Sequence, residues 1–350
     1  MRFYSFLLLI FFASCSEPKQ VSPSSNAEAG SLPAHLDIAF YNVENLFDVR
    51  DDPGKSDEDF TPAGRNEWSE GRYEQKLINL SKVIQAMDHG QGLPAIIGLA
   101  EIENEEVVEA LGNTVWPSGY GLVTENSLDR RGIDVALLYR KDLISIISHE
   151  ALRINFEQRG YTSRDILHVE LSVAGQESMH VYVNHWPSRR EGQAETEHRR
   201  LDAARTLRKS IDSVQARDRN AQIIVLGDFN DYPVSKSLVD VLEAREKANR
   251  KKKDELVNLA YAYELADQGT YPYKGDWGML DQAIVSNALF QKEGLYLEMN
   301  SLEIFQTDFM MYYDKKYKEF KPNRTYGGPR YYGGYSDHLP ILLHLKTAKH

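Results

Sequence analysis

From Leu36 onward, apolar runs of strand length alternate with longer segments whose apolar residues recur at helical spacing. Leu36 to Tyr41, Pro94 to Ala100, Val135 to Tyr139, Ile144 to Ile147, Ile166 to Val173, His180 to Asn184, Ile223 to Leu226, Gln282 to Ser286 and Ile341 to Leu345 are predicted strands. Tyr73, Leu77, Leu80, Ile84 and Met87 predict a helix that stops near Gly90. Leu201, Ala204, Leu207, Ile211 and Val214 predict a second, and Leu238 to Ala248 a third. Phe309 to Tyr335, crowded with Tyr, Gly, Lys and Arg, reads as loop. There is no internal repeat.

Polar residues gather where these strands begin and end. Asn42, Glu101, His185 and Asp228 follow their apolar runs, whereas Asp281 and Asp337 precede theirs. If the two sets run in opposite directions, all six residue positions converge on one sheet edge. If the Asp228 and Asp337 strands are antiparallel neighbours, Asp228, Asn230, Asp337 and His338 meet on one edge of one sheet. A doubly wound parallel sheet is excluded, because it gathers ligand residues only at C-terminal strand ends. The expected fold class is α/β, with two mixed or antiparallel sheets packed face to face and helices outside.

Composition changes this picture little. A chain of 350 residues with 42% hydrophobic and 27% charged residues can form one large domain. A formal charge of -11 argues against a nucleic-acid coat protein but not against an enzyme with a locally basic or metal-bearing site.

The N-terminus changes it more. Arg2, the apolar run Phe6 to Phe12 and the small residues Ala13 and Ser14 have the form of an export signal, too short to span a bilayer. Phe12-Ala13-Ser14-Cys15 resembles the cleavage box of bacterial lipoproteins; the alternative is an ordinary secretory signal with an incidental cysteine. The expected organisation is a signal peptide over 1–14, lipidated Cys15 with a Ser/Pro/Ala tether over 15–34, and one domain over 35–350. Export and a lipid anchor in a bacterial membrane follow from this reading. Cys15 is the chain's single cysteine, so the mature domain can hold neither disulfides nor thiolate metal sites.

The donors at the expected sheet edge are Asn42, Glu44, Glu101, Asp228, Asn230 and Asp337. Carboxylates and amides without thiols favour Mg²⁺ or Mn²⁺, with Ca²⁺ also accommodated. His185 and His338 are suited to proton transfer or to holding developing negative charge. Asp281 is placed to orient His338, and Asp134 to orient His185 or to bond backbone. Arg189 and Arg190 are candidates for binding phosphate, or else a solvated loop. Arg324 and Arg330, interleaved with Tyr326, Tyr331 and Tyr332, suit either phosphates and stacked bases or a packed hairpin. The acidic run Asp51, Asp52, Asp57, Glu58, Asp59 reads as a solvated loop, with structural Ca²⁺ as the alternative.

Taken in order, Tyr41-Asn42-Val43-Glu44-Asn45, Ala100-Glu101-Ile102-Glu103, Arg131-Gly132-Ile133-Asp134-Val135, Asn184-His185-Trp186-Pro187, Gly227-Asp228-Phe229-Asn230, Leu280-Asp281 and Ser336-Asp337-His338 resemble the endonuclease/exonuclease/phosphatase superfamily. The resemblance spans nearly everything after the tether. It implies a four-layer α/β sandwich and metal-dependent cleavage of phosphate esters. It also implies that Glu101 is the principal metal ligand, with Asn42, Asp337 and Glu44 nearby. Asp228 would align or activate water and Asn230 position phosphate. His338 with Asp281 would be the base or phosphate-binding pair, and His185 would assist the leaving oxygen or stabilise pentacovalent charge. His185 stands where abasic-site enzymes have Tyr, as in deoxyribonuclease-like and sphingomyelinase-like members, and Glu44 stands where some branches have Asp.

The expected activity is that of an exported, monomeric phosphodiesterase or nuclease cleaving DNA or RNA. A phosphatase or lipid phosphodiesterase is the alternative enzyme, and a surface binding protein that retains the fold is the non-enzymatic one. A dinuclear metallophosphatase is excluded because its Asn-His-Asp/Glu and Gly-His-x-His motifs are absent.

Overall fold

The computed structural model describes residues 19–20, 31–247 and 254–348. The expected signal peptide, Cys15 and most of the tether lie outside the described residues. Two large mixed sheets carry the chain. The first contains β1 (His35–Leu46), β2 (Ile96–Ile102), β3 (Tyr120–Thr124) and β4 (Asp134–Arg140). The second contains β5 (Ile144–Leu152), β6 (Ile166–Val173), β7 (Glu177–His185), β8 (Gln222–Asp228), β9 (Leu256–Asn258) and β10 (Asp281–Ser286). The last strand, β11 (Ile341–Thr347), returns to the first sheet beside β1. The main helices are α1 (Glu70–Ala86), α2 (Glu105–Val115) and α3 (Gln193–Arg217).

Side-chain alternation builds the layers. On β1, Ile38 and Phe40 enter the core between the sheets, where Val135, Leu137, Val169, Val181, Val183, Ile224 and Leu226 meet them. The alternate residues Ala39 and Tyr41 pack with Leu77, Leu80, Val83 and Ile84 of α1 and with Val107 and Leu111 of α2. On β8, Ile223 and Val225 face Ala204, Leu207 and Ile211 of α3. Both faces of each central strand are therefore covered, which is why their sequences are unbroken apolar runs. The result is the expected four-layer α/β sandwich.

Strand direction gathers the polar ends. β1 and β2 are parallel with β11 antiparallel to β1; β7 and β8 are parallel with β10 antiparallel to β8. The ends of β1, β2, β7 and β8 thus meet the beginnings of β10 and β11. β8 and β11 are not neighbours in one sheet, so the antiparallel condition on the Asp228 and Asp337 strands is not met. They belong to facing sheets, and the antiparallel neighbour of β8 is β10, with Asp228 opposite Asp281. Gly227 is required here, because a Cβ would lie 2.5 Å from the Asn184 backbone oxygen on β7.

Two local expectations also fail. Leu238 to Ala248 is a single helical turn, Ser237–Val241, then a reversal at Glu243 with φ of 59° and a two-residue strand, Ala244–Arg245. Leu238, Leu242 and Ala244 are all buried against α3, so their spacing marks one packed turn and a strand start. Ala248 lies outside the described residues. The segment Phe309 to Tyr335 contains two hairpins, Met311–Asp314 with Glu319–Pro322 and Tyr326–Gly327 with Arg330–Tyr331.

Candidate active site

A cavity of about 680 Å³ opens where the two sheets present these strand ends, lined by Glu101, His185, Asp228, Asn230, Asp337 and His338. Arg131, Arg189, Arg190 and Arg324 surround it, with Tyr232, Tyr271 and Tyr273. A larger cleft of about 1050 Å³ elsewhere contains none of these residues.

Asp228 ends β8 and is buried. Its Oδ1 accepts the Asn230 N–H at 2.9 Å, in a turn where Asn230 has φ of 50°, and its Oδ2 accepts the Asn42 amide at 3.1 Å. Asn230 is anchored in turn by donating to the Trp186 carbonyl at 3.0 Å. Burial raises the Asp228 carboxyl to about 7; the His338 charge pulls it down and Asp281 adds to the rise.

His338 is held from behind. Its Nδ1 donates to Asp281 Oδ2 at 2.7 Å, and its ring lies 4.7 Å from that of Tyr271, centroid to centroid. The same Asp281 oxygen accepts the Thr270 hydroxyl. Burial alone would lower His338, but Asp281, joined by Asp228 and Asp337, raises it well above the ordinary histidine range. His338 Nε2 is 3.8 Å from Asp228 Oδ2.

Glu101 sits at a bulge between β2 and β4, with φ of 63°. Its Oε2 accepts the Asn45 N–H at 3.0 Å, and Oε1 lies 3.8 Å from His185 Nε2. His185 Nε2 is also 3.7 Å from Asp228 Oδ2. Burial, then the charges of Arg164, Arg131 and His338, hold His185 well below the ordinary range, so the imidazole is neutral.

Several expected roles are corrected. Asp134 does not orient His185: its carboxylate accepts the Ser127 N–H at 3.2 and 3.3 Å, and the buried His185 Nδ1 has no hydrogen-bond partner. Glu44 does not line the cavity. Its φ of 51° turns the side chain toward the 324–331 hairpin, where it accepts the N–H groups of Thr325 at 2.6 Å and Tyr326 at 3.3 Å and the Arg324 guanidinium at 3.2 Å. Asn42 presents its amide N–H groups, not its oxygen, to Asp228 and Glu101, because that oxygen accepts the Glu44 N–H at 3.0 Å. Arg324 is committed to Glu44 and, at 2.8 Å, to Asp337. Arg330 is exposed, stacks over Tyr332 and does not line the cavity. Arg189 and Arg190 do line it, and Arg189 lies over the Tyr232 ring.

Sequence reasoning missed three contributors. Arg131 lines the cavity, yet nothing in the Arg131-Gly132-Ile133-Asp134-Val135 pattern marks it as doing so. Thr270 and Tyr271 precede β10 in a hairpin, Tyr271–Tyr273 with Asp276–Gly278, that carries no motif. Further support comes from α1: Lys76 donates to Thr325 Oγ1 and the Tyr335 carbonyl, while Asn79 donates to the carbonyls of Gly333 and Gly334. These bonds fix the segment leading to Asp337 and His338.

The residues fit a divalent cation. Glu101, Asp228 and Asp337 share one cavity, and an all-oxygen set of carboxylates without a thiol suits a hard ion. The group Asp228, Asp281 and His338 also offers ligand atoms within 4.8 Å of one another, although Asp281 and His338 already bond each other.

The model of the family described as "Endonuclease/Exonuclease/phosphatase family" matches residues 37–347. The chain belongs to the endonuclease/exonuclease/phosphatase family. Solved structures with this fold include an endonuclease/exonuclease/phosphatase family protein from Bacteroides thetaiotaomicron, 14% identical with a TM-score of 0.56, over 93% of this chain and 99% of that one. The mannosyl-6-phosphatase of the same organism is 16% identical with a TM-score of 0.55, over 89% and 99%. D. rerio TDP2, complexed with a single-strand DNA product, is 14% identical with a TM-score of 0.53, over 90% and 100%. No curated protein is detectably similar in sequence. An endonuclease/exonuclease/phosphatase fold is a phosphoesterase fold, and the carboxylates and histidines described above occupy its strand ends.

Proposed function

We propose that this chain is an exported, lipid-anchored phosphodiesterase that cleaves nucleic acid with the help of a divalent cation. The observation that carries this reading is the His338–Asp281 pair at 2.7 Å, set beside Asp228, Glu101 and His185 in a cavity bordered by arginines. Glu101 and Asp337 would hold a divalent cation, which would supply positive charge to the phosphate.

The chain's own groups divide the remaining work. Asp228, with its carboxyl near 7, accepts a proton from the attacking water as the water oxygen bonds to phosphorus. His338 is cationic, so it serves as proton donor rather than base: its Nε2–H gives a proton to the departing ester oxygen as the P–O bond breaks. Asp281 fixes the Nδ1 tautomer and stabilises the imidazolium. Neutral His185 and the anchored Asn230 donate hydrogen bonds to the phosphoryl oxygens. Arg131, Arg189 and Arg190 hold flanking phosphates, and Tyr271 and Tyr273 offer rings for bases.

A second reading, hydrolysis of a phosphomonoester or a lipid phosphodiester, draws support from the concentration of arginines around a single cavity, which suits one terminal or headgroup phosphate. Plasmid DNA, RNA, sphingomyelin and soluble monoesters, each with Mg²⁺ or Mn²⁺ and with EDTA, separate the readings. DNA and RNA left intact at low salt, where electrostatic binding is strongest, would remove the nuclease reading. Failure to bind either metal in calorimetry would revive a binding protein that retained the fold.

The reading of a chain tethered by an N-terminal lipid draws support from the Cys15 placement; among the described residues no helix is long and apolar enough to cross a membrane. Fatty-acid labelling of the wild type but not of Cys15→Ala is the expected result.

A further inference from the structure

We propose that Asp52, Asp57 and Glu103 form a second cation site, separate from the catalytic cavity, that takes a hard divalent ion of the calcium class and ties the loop after β1 to the end of β2. Each of the three side chains offers a carboxylate oxygen, and these oxygens all lie within 4.8 Å of one another. Oxygens sharing one Ca²⁺ at about 2.4 Å can be at most about 4.8 Å apart, a bound that all three pairs meet.

The independent observation is Asp57. It is 1% exposed; its Oδ2 accepts the Asp52 N–H at 2.9 Å, while its Oδ1 is buried without any hydrogen-bond partner. A buried carboxylate oxygen in that state is a costly arrangement unless a cation satisfies it. Glu103, 5% exposed, is held in place by accepting the Asp48 N–H at 2.7 Å and the Asn104 amide at 3.3 Å, both on Oε2. Asp52 is exposed and leaves room for water ligands.

The basic side chains nearby are engaged elsewhere. Arg50 bonds Asp48 and Glu106, and Lys55 donates to the carbonyls of Ser127 and Asp129. Three carboxylates without a phosphate partner favour Ca²⁺, which accepts protein-rich oxygen shells, over Mg²⁺, which keeps its waters. Asp51, Glu58 and Asp59 of the acidic run are exposed and stand outside the group; Glu103, from a different element, completes it. Because Glu103 follows Glu101 by two residues, an ion here braces the strand end that carries a catalytic carboxylate.

The test is Ca²⁺ calorimetry and thermal denaturation on the full chain in detergent, using Glu101→Gln to weaken the catalytic centre. Ca²⁺ should still bind Glu101→Gln and raise its Tm. Adding Asp57→Asn should weaken that binding by about tenfold or more, since ligand charge sets affinity at such sites. Asp52→Asn, at an exposed position, should weaken it as well. No Ca²⁺ binding by Glu101→Gln, or unchanged affinity after Asp52→Asn, overturns the proposal.

Discussion

His338 and His185 reach the same cavity from facing sheets and are equally hidden from water, yet they are held in opposite states. His338 has a carboxylate behind Nδ1 and two more nearby, which keep it protonated against the pull of burial. His185 has no partner on Nδ1 and has Arg164 and Arg131 nearby, which add to burial and keep it neutral. Burial alone does not decide what a histidine does; the charge behind the ring does. One residue can deliver a proton, and the other can offer only a neutral hydrogen bond.

The largest effects should come from the protonated side of this comparison. His338→Ala and Asp228→Ala should each lower phosphodiester hydrolysis by about 10² to 10⁴-fold while circular dichroism shows a folded protein. Near-normal turnover in either would remove that residue from the mechanism. Asp281→Asn should lose nearly as much, because burial would then neutralise His338 and the amide can favour the wrong tautomer. Its pH–rate profile should lose activity at lower pH than the wild type does on the alkaline side.

His185→Gln should fall less than His338→Gln, by about tenfold, since an amide can replace a neutral N–H donor but not a proton donor. Equal losses in the two variants would erase the distinction between the rings. Smaller still, Arg131→Ala and Arg189→Ala should raise KM more than they lower kcat. Each should flatten the salt dependence of nucleic-acid binding by about one phosphate contact.

The smallest effect uses a histidine outside the cavity. His344 bonds Asp37 at 2.8 Å and Glu303 at 3.1 Å, and these bonds raise it from 6.5 to about 9. A raised histidine stabilises the fold fully below its unfolded value and loses that contribution as pH rises through the folded one. The Tm deficit of His344→Gln should therefore be present near pH 6 and fade by about pH 10, with no change in catalysis. A deficit that grows with pH would show that the ion pairs do not hold this histidine.

The layers were legible in the sequence because covered sheets demand unbroken apolar strands and the helices show one apolar face. The candidate site was legible because Asp228 and Asp281 stand at strand ends and His338 lies three residues before β11. What escaped depended on backbone direction and distant pairing. Adjacency to Asn42 could not show that Glu44, with positive φ, turns toward Thr325 and Tyr326. Nor could spacing show that Ser127 takes the Asp134 carboxylate. Tyr271 opens a three-residue strand with no apolar period and Thr270 just precedes it, and α2 and β3 are short enough that Val107, Leu111 and Val123 carry no separate signal. The 311–322 hairpin carries Tyr312, Tyr313 and Phe320 at exposed positions, so alternation had nothing to mark.

The most direct test is Mg²⁺-dependent cleavage of a phosphodiester by wild type, His338→Ala, Asp281→Asn and the double variant. The expected result is wild-type cleavage that EDTA abolishes and a double variant no slower than His338→Ala, because Asp281 acts through the ring. Losses that multiply in the double variant, or wild-type cleavage that persists in EDTA, would contradict it.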